Sequence, residues 1–227
     1  SLVGPFVGFH HQSLLIAAFW PEGKGNVAYG AMVGSNHTGR APDQEIWPGE
    51  GTFFGLGCSI KLPADFSQAP YCFISAGVAT LPQRITFPFS VIATPSETLS
   101  ESLVPRAYNE IQPAWGLFAN AYAIERMESK FASRDRAKRQ VMQYKVLRPT
   151  IMRQVRRALA ELEGIPAPKP VYLQDDLPGL GGDAVVGEPD RQRLAQARLA
   201  GRIAVLQSGQ GDLPVRGRLA HRRGEHG

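Results

Sequence analysis

The stretch Thr52–Thr80, TFFGLGCSIKLPADFSQAPYCFISAGVAT, decides the predicted fold. Every sixth residue in it is apolar, and the residue two positions before each is small. The apolar series is Phe54, Ile60, Phe66, Cys72 and Val78, and the small series is Thr52, Cys58, Ala64, Pro70 and Ala76. A period of six fits neither an α-helix nor an alternating antiparallel strand. It is typical of a chain wound as a three-sided parallel β-helix, in which stacked coils share one core.

The same spacing continues on both sides of this stretch. Upstream it runs through Val3, Phe9 and Leu15, misses at Pro21, and resumes at Val27 and Val33; downstream it resumes after one slip at Ile85 and Val91. We therefore predict a mainly β protein with a parallel β-helix domain over residues 1–94. It would have roughly four coils, with excursions at 35–51 and near 21–25. A β-sandwich with accidental spacing is the alternative.

The pattern changes after Thr94, where a polar connector leads into a predicted C-terminal α-helical extension over residues 95–164. Apolar periodicity and proline positions predict helices over 113–131, over 133–147 and from about Pro149 to Gly164. Trp115 is expected to pack against the β-helix. Residues 165–227 are predicted to form a Pro/Gly-rich linker, a possible helix over 189–206 and a basic tail.

Charge divides the chain in the same way. Residues 1–100 hold four of the 25 basic side chains and six of the 20 acidic ones, so the remainder holds 21 basic and 14 acidic. Such a split indicates two regions with different roles. The two cysteines form neither a disulfide framework nor a metal quartet and are expected to be core residues. No run approaches the ~20 apolar residues of a membrane span, so we expect a cytoplasmic protein that does not bind a membrane.

The hexapeptide ladder resembles the trimeric left-handed β-helix superfamily typified by UDP-N-acetylglucosamine acyltransferase. More narrowly, three strings look like an uncharacterised bacterial family in which such a β-helix precedes a helical extension. The strings are GFHHQ…LIAAFWPEGKGN, VGSNHTGRAPDQEIWPGEGTFFGLG and PRAYNEIQPAWGLFANAYAIERMESKF. The resemblance covers about residues 1–165. It implies a left-handed parallel β-helix and a homotrimer, whereas the narrower family has no assigned reaction.

In acyltransferases of that superfamily, a histidine on a coil removes a proton from the attacking hydroxyl or amine. The resemblance therefore makes His37 the expected catalytic base, with Asp43 or Glu45 orienting its ring. Further candidates for substrate binding are Arg40, whose planar fork suits phosphate, and Asn36, His10 and His11. The alternatives are that His10 and His11 only form hydrogen bonds between coils, and that Arg40 pairs with a loop acid.

These candidates predict an acyl or acetyl transferase that acts on a sugar nucleotide or another phosphorylated metabolite at trimer clefts. Acetyl-CoA or another acyl donor would be the cosubstrate. The alternative is a non-catalytic trimerising or regulatory β-helix module attached to a nucleotidyltransferase-like domain.

Two other classes of function fit less well. Three histidines on such a fold also resemble the gamma-class carbonic anhydrases, but their spacing departs from that family's pair five residues apart, so no metal is expected. Basic side chains between 126 and 139 form either a solvated helix face or a phosphate-binding surface. No recognised nucleic-acid module accompanies them, and a nucleic-acid partner is not expected.

Overall fold

The computed structural model describes residues 1–35, 45–95, 109–165, 180–182 and 184–185. Within these ranges, short parallel strands stack into a β-solenoid of about four turns, and a helical region follows between residues 115 and 163. The predicted class, mainly β with stacked parallel strands and a C-terminal helical region, is confirmed. None of the described helices is long and apolar enough to cross a membrane.

The solenoid has three faces, each built from strands that recur once per coil and pair in parallel. The first face holds β1 (Leu2–Val3), β4 (Phe19–Trp20), β7 (Ile46–Trp47), β10 (Ala64–Asp65) and β13 (Gln83–Ile85). The second face holds β2 (Gly8–Phe9), β5 (Asn26–Val27), β8 (Phe53–Phe54), β11 (Phe73–Ile74) and β14 (Val91–Ala93). The third face holds β3 (Leu14–Leu15), β6 (Met32–Ser35), β9 (Ser59–Lys61) and β12 (Ala79–Thr80). On the first face, a bridge between Ala18 and Ile46 links the β1–β4 pair to the later strands.

The predicted ladder residues from Phe54 to Val78 are all buried in the solenoid, but the register differs from the prediction after Phe66. Phe54 pairs with Ile74 on the second face, and Ile60 pairs with Thr80 on the third. The corner after Phe66 is two residues longer than a strict period of six allows. The next residues of the ladder are therefore Ile74 and Thr80. Cys72 and Val78 therefore occupy the inward positions two residues before the ladder, where small side chains were expected.

Trp20 explains the predicted miss at Pro21. Its side chain is fully buried, its Nε1 donates to the carbonyl of Gly49 at 2.9 Å, and its ring meets Phe54 edge-on at 5.8 Å between centroids. A Cβ on Gly25 would lie 2.2 Å from the Trp20 ring, so glycine is required there. The excursion predicted near 21–25 is thus a tight corner of the solenoid.

The corner between the first and second faces has an unusual composition, and we call it the seam. We define it by one residue of positive φ from each coil, with φ between 58° and 70°: Phe6, Lys24, Gly51, Tyr71 and Phe89. Gly23, which precedes Lys24, also has a positive φ of 61°. At the corner between the second and third faces, the corresponding residues are Gln12 and then three glycines, Gly30, Gly57 and Gly77. A left-handed conformation costs an L-residue roughly 1–2 kcal/mol. Bulky residues at the seam therefore need compensating contacts, and the helical extension supplies them.

In the part of the extension that the structure describes, from residue 109 onward, one strand precedes three helices. Strand β15 (Asn109–Gln112) adds antiparallel to β14, and the helices are α1 (Trp115–Phe118), α2 (Ala121–Arg134) and α3 (Pro149–Glu163). Strand β16 (Leu180–Gly182) adds antiparallel to β13, and β17 (Ala184–Val185) adds parallel to β15. These last two strands lie in the segment that was predicted to be a linker, so part of that segment is paired with the solenoid.

The helix predictions are confirmed in part. The helix expected from Pro149 to Gly164 is α3, whereas the one expected over 113–131 is divided into α1 and α2. The helix predicted over 133–147 is wrong, because α2 ends at Arg134 and the chain then folds back along it. The backbone N–H of Val146 donates to the Glu128 carboxylate at 2.7 Å instead of to a helical carbonyl. The helix predicted over 189–206 lies outside the described residues.

The seam is the surface on which the extension packs. Phe6 contacts Phe131 of α2, with ring centroids 5.0 Å apart, and Tyr71 stacks on Phe89 at 5.5 Å. Tyr71 and Phe89 form a second apolar cluster with five buried residues of the extension, namely Ile124, Val146, Ile151, Met152 and Val155. Trp115 packs edge-on against Phe73 at 5.4 Å, which confirms the contact predicted for it.

Ile74 occupies a ladder position in the observed register, and Cys72 occupies the position two residues before it. The two side chains should therefore contribute differently to the free energy of unfolding. We expect Ile74→Ala to lower the free energy of unfolding by about 2–5 kcal/mol, since it leaves a cavity in the ladder. Cys72→Ala removes only one sulfur atom, and we expect a loss of about 1 kcal/mol. Urea denaturation of both variants measures the difference, and a larger loss for Cys72→Ala would contradict the observed register.

Candidate functional site

A groove of about 1020 Å³ lies between α2 and the outer surface of the second face, and we call it the seam groove. Its floor is the outward column of the second face: Gly8, Asn26, Phe53 and Phe73. One wall is part of the seam, with Phe6, Lys24, Gly51 and Tyr71, and the other is α2. The volume lies in the upper range of small-molecule sites in proteins.

The groove combines aromatic rings on its floor with cations along α2. At the end nearer α1, Phe53 and Phe73 lie 6.3 Å apart and Tyr122 is exposed above them. Helix α2 then runs toward the first coil, where its Phe131 reaches Phe6. Its groove-lining cations are Arg126, Lys130 and Arg134. Because they recur every four residues, they share one side of the helix. The groove therefore suits a ligand with an apolar or aromatic part and an anionic part.

His10 lies in this groove and is held by a neighbouring coil. Its Nε2 is 3.1 Å from Oδ1 of Asn26. An amide oxygen only accepts hydrogen bonds, so Nε2 of His10 is the donor in this contact. A Cβ on Gly8 would lie 2.6 Å from Asn26 Oδ1, so glycine at this strand position makes room for the pair. The imidazole of His10 is thus held at the groove by a side chain of the neighbouring coil.

Of the other residues predicted for the site, the structure describes only Glu45 and His11, and neither lines the groove. His37, Asp43, Arg40 and Asn36 lie outside the described residues, so their predicted roles stay predictions. Glu45 is exposed at the start of the third coil, where its carbonyl accepts from the N–H of Ala64 at 3.1 Å.

His11 follows His10 but is not part of the groove. It is exposed at a corner, and its carbonyl accepts from Gly30 at 3.2 Å. The excursion predicted over 35–51 also ends earlier than expected, since Ile46 and Trp47 already form β7.

Sequence reasoning missed a buried ionic cluster in the groove wall, formed by Lys24, Glu50, Tyr71 and Arg148. Oε1 of Glu50 accepts from Lys24 Nζ at 2.8 Å, from the Tyr71 hydroxyl at 2.6 Å and from Nη1 of Arg148 at 3.0 Å. Oε2 accepts from Nη2 of the same arginine, and Lys24 Nζ also donates to the carbonyl of Gln143. A sequence signal existed: Lys24 and Glu50 each stand between two glycines, which indicates charged residues at tight corners.

The cluster fixes the charge states of its members. Burial alone would raise the pKa of Glu50, but the hydrogen bonds from Arg148, Lys24 and Tyr71 outweigh it and hold that pKa below its usual value. Burial, reinforced by the negative charge of Glu50, raises the pKa of Tyr71, so the phenol stays neutral. Solenoid and extension are thus joined through an ionised carboxylate that is 4% exposed.

The thiols and possible metal ligands are elsewhere. Cys58 and Cys72 are fully buried in the solenoid core, as predicted, and this burial raises the pKa of both thiols to about 12. Across the part of the chain that the structure describes, no three His, Cys, Asp or Glu side chains approach closely enough to hold a metal ion.

Glu50 should be a major determinant of stability above its pKa. Removal of a buried charge leaves its partners unpaired, so we expect Glu50→Gln to lower the free energy of unfolding by about 3 kcal/mol near pH 7. Because the folded pKa lies below the ordinary value of 4.5, this stabilisation is present above 4.5 and is lost as pH falls through the folded pKa.

Denaturation of wild type and Glu50→Gln across this pH range measures the effect, with Glu22→Gln at an exposed position as control. A difference that does not shrink in acid would contradict the assignment.

The comparisons with known proteins give one relative and no family. No family model matches the chain, and no solved structure matches it. A Treponema pallidum (strain Nichols) protein named only "Uncharacterized protein" is 34% identical over 165 residues, which are 72% of this chain and 21% of that protein. The chain thus spans about a fifth of the length of the relative it matches.

Proposed function

We propose that the protein is an acyl-type transferase of the hexapeptide-repeat class, which binds a phosphorylated metabolite in the seam groove. The observation that carries the proposal is the groove itself, with aromatic rings on its floor and a row of cations on the α2 wall. A sugar nucleotide and the nucleotide part of a coenzyme A thioester both combine an aromatic base with phosphates. Phosphate oxygens match the planar fork of Arg126, and Lys130 adds a second positive charge.

His10 supplies the proposed chemistry. Its Nδ1 would take a proton from a hydroxyl or amine of the acceptor as that group attacks the thioester carbonyl of the donor. As the acyl–oxygen or acyl–nitrogen bond forms, the carbon–sulfur bond of the thioester breaks, and the leaving thiolate takes up the proton that Nδ1 removed. Asn26 fixes the ring by accepting from Nε2–H. General-base catalysis of this kind contributes roughly 10²–10⁴-fold to the rate. His37, with Asp43 or Glu45, remains the alternative base that the sequence suggests.

A homotrimer and a cytoplasmic location are also part of the proposal. Large apolar side chains are exposed on the first and third faces of the early coils: Leu2, Leu14, Ile16, Phe19, Met32 and Trp47. The rings of Phe19 and Trp47 lie 4.8 Å apart in one outward column. Exposed apolar patches of this kind are typical of interfaces. The seam groove lies on the second face, so association through this patch leaves the groove open. The proposed site is therefore within one chain and not in a cleft between subunits.

A non-catalytic module is the second candidate function. It is favoured by the relative, of which the matched segment is 21%. In this case the solenoid would trimerise or regulate a larger protein, and the groove would bind a ligand without turning it over.

The groove is tested by calorimetric titration with acetyl-CoA and with UDP-sugars. We expect one of these classes to bind, and we expect the Arg126→Gln/Lys130→Gln double variant to weaken its Kd at least tenfold through loss of two phosphate contacts. Arg153→Gln, an exposed change on α3, is the matched control. If neither class binds, or if the double variant binds like wild type, the groove is not a phosphometabolite site.

The reaction is tested with two adjacent histidines. With a ligand identified, we expect His10→Ala to lower kcat about 10²–10⁴-fold while changing the ligand Kd little, as a general base would. His11→Ala should keep turnover within about twofold, because that ring lies outside the groove. Binding without turnover in wild type would favour the non-catalytic module, and full activity of His10→Ala would remove His10 from the mechanism.

The trimer is tested by charge substitution in the apolar patch. Phe19→Lys should shift the mass in sedimentation equilibrium from trimer to monomer, since a buried lysine in an apolar interface is strongly unfavourable. Leu56→Lys, at an even more exposed apolar residue on the corner between the second and third faces, should leave the mass unchanged. A monomeric wild-type protein at micromolar concentration would contradict the proposal.

A further inference from the structure

We infer that the Lys24–Glu50–Arg148 cluster carries an unbalanced positive charge that an anion in the seam groove neutralises, so that anion binding and docking of the helical extension on the seam are coupled. The inference rests on the proposed function only in that the ligand is anionic. It does not depend on the transfer reaction or on His10.

The cluster contains more positive than negative charge. Two cations, Lys24 and Arg148, share a single carboxylate, Glu50, and the side chains of the three are 8%, 17% and 3% exposed. Tyr71 donates a neutral hydrogen bond and adds no charge. Buried ions are stable when they are paired, and an excess charge at low dielectric attracts a counter-ion strongly. The cluster therefore presents a net charge of about +1.

The positive charge of the cluster lies at the wall of the seam groove, opposite the cations of α2. Lys24 and Tyr71 belong to the groove wall, and the opposite wall contributes Arg126, Lys130 and Arg134 against one acid, Glu125. The ammonium of Lys24 has three N–H donors, of which two reach Glu50 and the carbonyl of Gln143. A phosphate placed between Lys24 and α2 would meet the excess charge of the cluster and the cations of the helix together.

The two cations of the cluster belong to different parts of the protein. Lys24 and Glu50 belong to the solenoid, whereas Arg148 lies in the extension, directly before α3. When the extension leaves the seam, Arg148 leaves with it, and the remaining pair is neutral. The docked state therefore binds an anion more tightly than the undocked state. By thermodynamic reciprocity, the anion stabilises docking to the same degree.

The test uses inorganic pyrophosphate as probe, with ionic strength held constant by sodium chloride. Its Kd is measured by titration calorimetry, and docking is followed by the rate of trypsin cleavage in the basic segment 136–139. In wild type, pyrophosphate should bind and should slow cleavage. Arg148→Met should weaken the Kd about tenfold, the effect of one unit charge ~10 Å away at an effective dielectric of ~20. Arg153→Met should match wild type.

Glu50→Gln separates the charge effect from a merely structural one. It increases the net charge, so we expect a tighter Kd for pyrophosphate even though the protein unfolds more easily. A purely structural latch predicts a weaker Kd for Glu50→Gln as well as for Arg148→Met, and that result would overturn the inference. If Glu50→Gln does not fold, Tyr71→Phe replaces it: this variant loses a neutral contact, and its Kd should stay within about twofold of wild type.

The outcomes also separate this inference from the proposed function. Charge-dependent binding of pyrophosphate without any binding of coenzyme A thioesters or sugar nucleotides would leave the inference standing and remove the metabolite assignment. Metabolite binding that depends on Arg126 and Lys130 but is unchanged in Arg148→Met would support the metabolite assignment and overturn the inference. An absence of pyrophosphate binding in wild type would overturn the inference directly.

Discussion

The seam is the constraint on which the rest of the structure depends. A three-sided solenoid must turn about every six residues, and glycine makes that turn at low cost. Along one corner the chain instead places Phe6, Lys24, Tyr71 and Phe89 in the left-handed region. Their side chains point away from the solenoid core and form the surface that the helical extension covers. The packing of the extension on these side chains therefore compensates for their unfavourable backbone conformation.

The groove and the ionic cluster both follow from this docking. Helix α2 crosses the second face because Phe131 contacts Phe6 near its C-terminal end, while α1, which precedes it, is held by the N–H of Gly116 donating to the carbonyl of Phe89. The space between the helix and the face is the seam groove. Charged residues at the same corner, Lys24 and Glu50, meet Arg148 where the chain turns into α3. A site formed in this way belongs to neither part alone, and its electrostatics depend on the extension being in place.

The sequence predicted the solenoid in preference to a β-sandwich, because a period of six places Phe54, Ile60 and Phe66 in one core and fits neither an α-helix nor an alternating strand. It was not sufficient for the register after Phe66, since the length of one corner depends on packing at Pro70 and Tyr71. The helix predicted over 133–147 failed because Glu128, far away in sequence, binds the N–H of Val146. The groove could not be predicted either, because it combines His10, Asn26 and α2, whose proximity is set by the docking of two parts.

The candidate site residues also divide into those that the sequence reveals and those that only the folded structure reveals. His10 was recognised by its chemistry, which a sequence reveals, whereas its partner Asn26 becomes visible only when coils are stacked in register. Lys24 and Glu50 lie 26 positions apart, and Arg148 lies 98 positions beyond Glu50. Long-range ion pairs of this kind have no local pattern apart from the glycines that flank the first two.

A double-mutant cycle between Glu50 in the solenoid and Arg148 in the extension tests the central claim most directly. The free energies of unfolding of wild type, Glu50→Gln, Arg148→Met and the double variant give the coupling energy of the contact across the seam. If the extension docks as described, the two side chains should be coupled by about 2–3 kcal/mol. A coupling energy near zero would mean that the extension does not rest on this corner, and the account of the groove would be wrong.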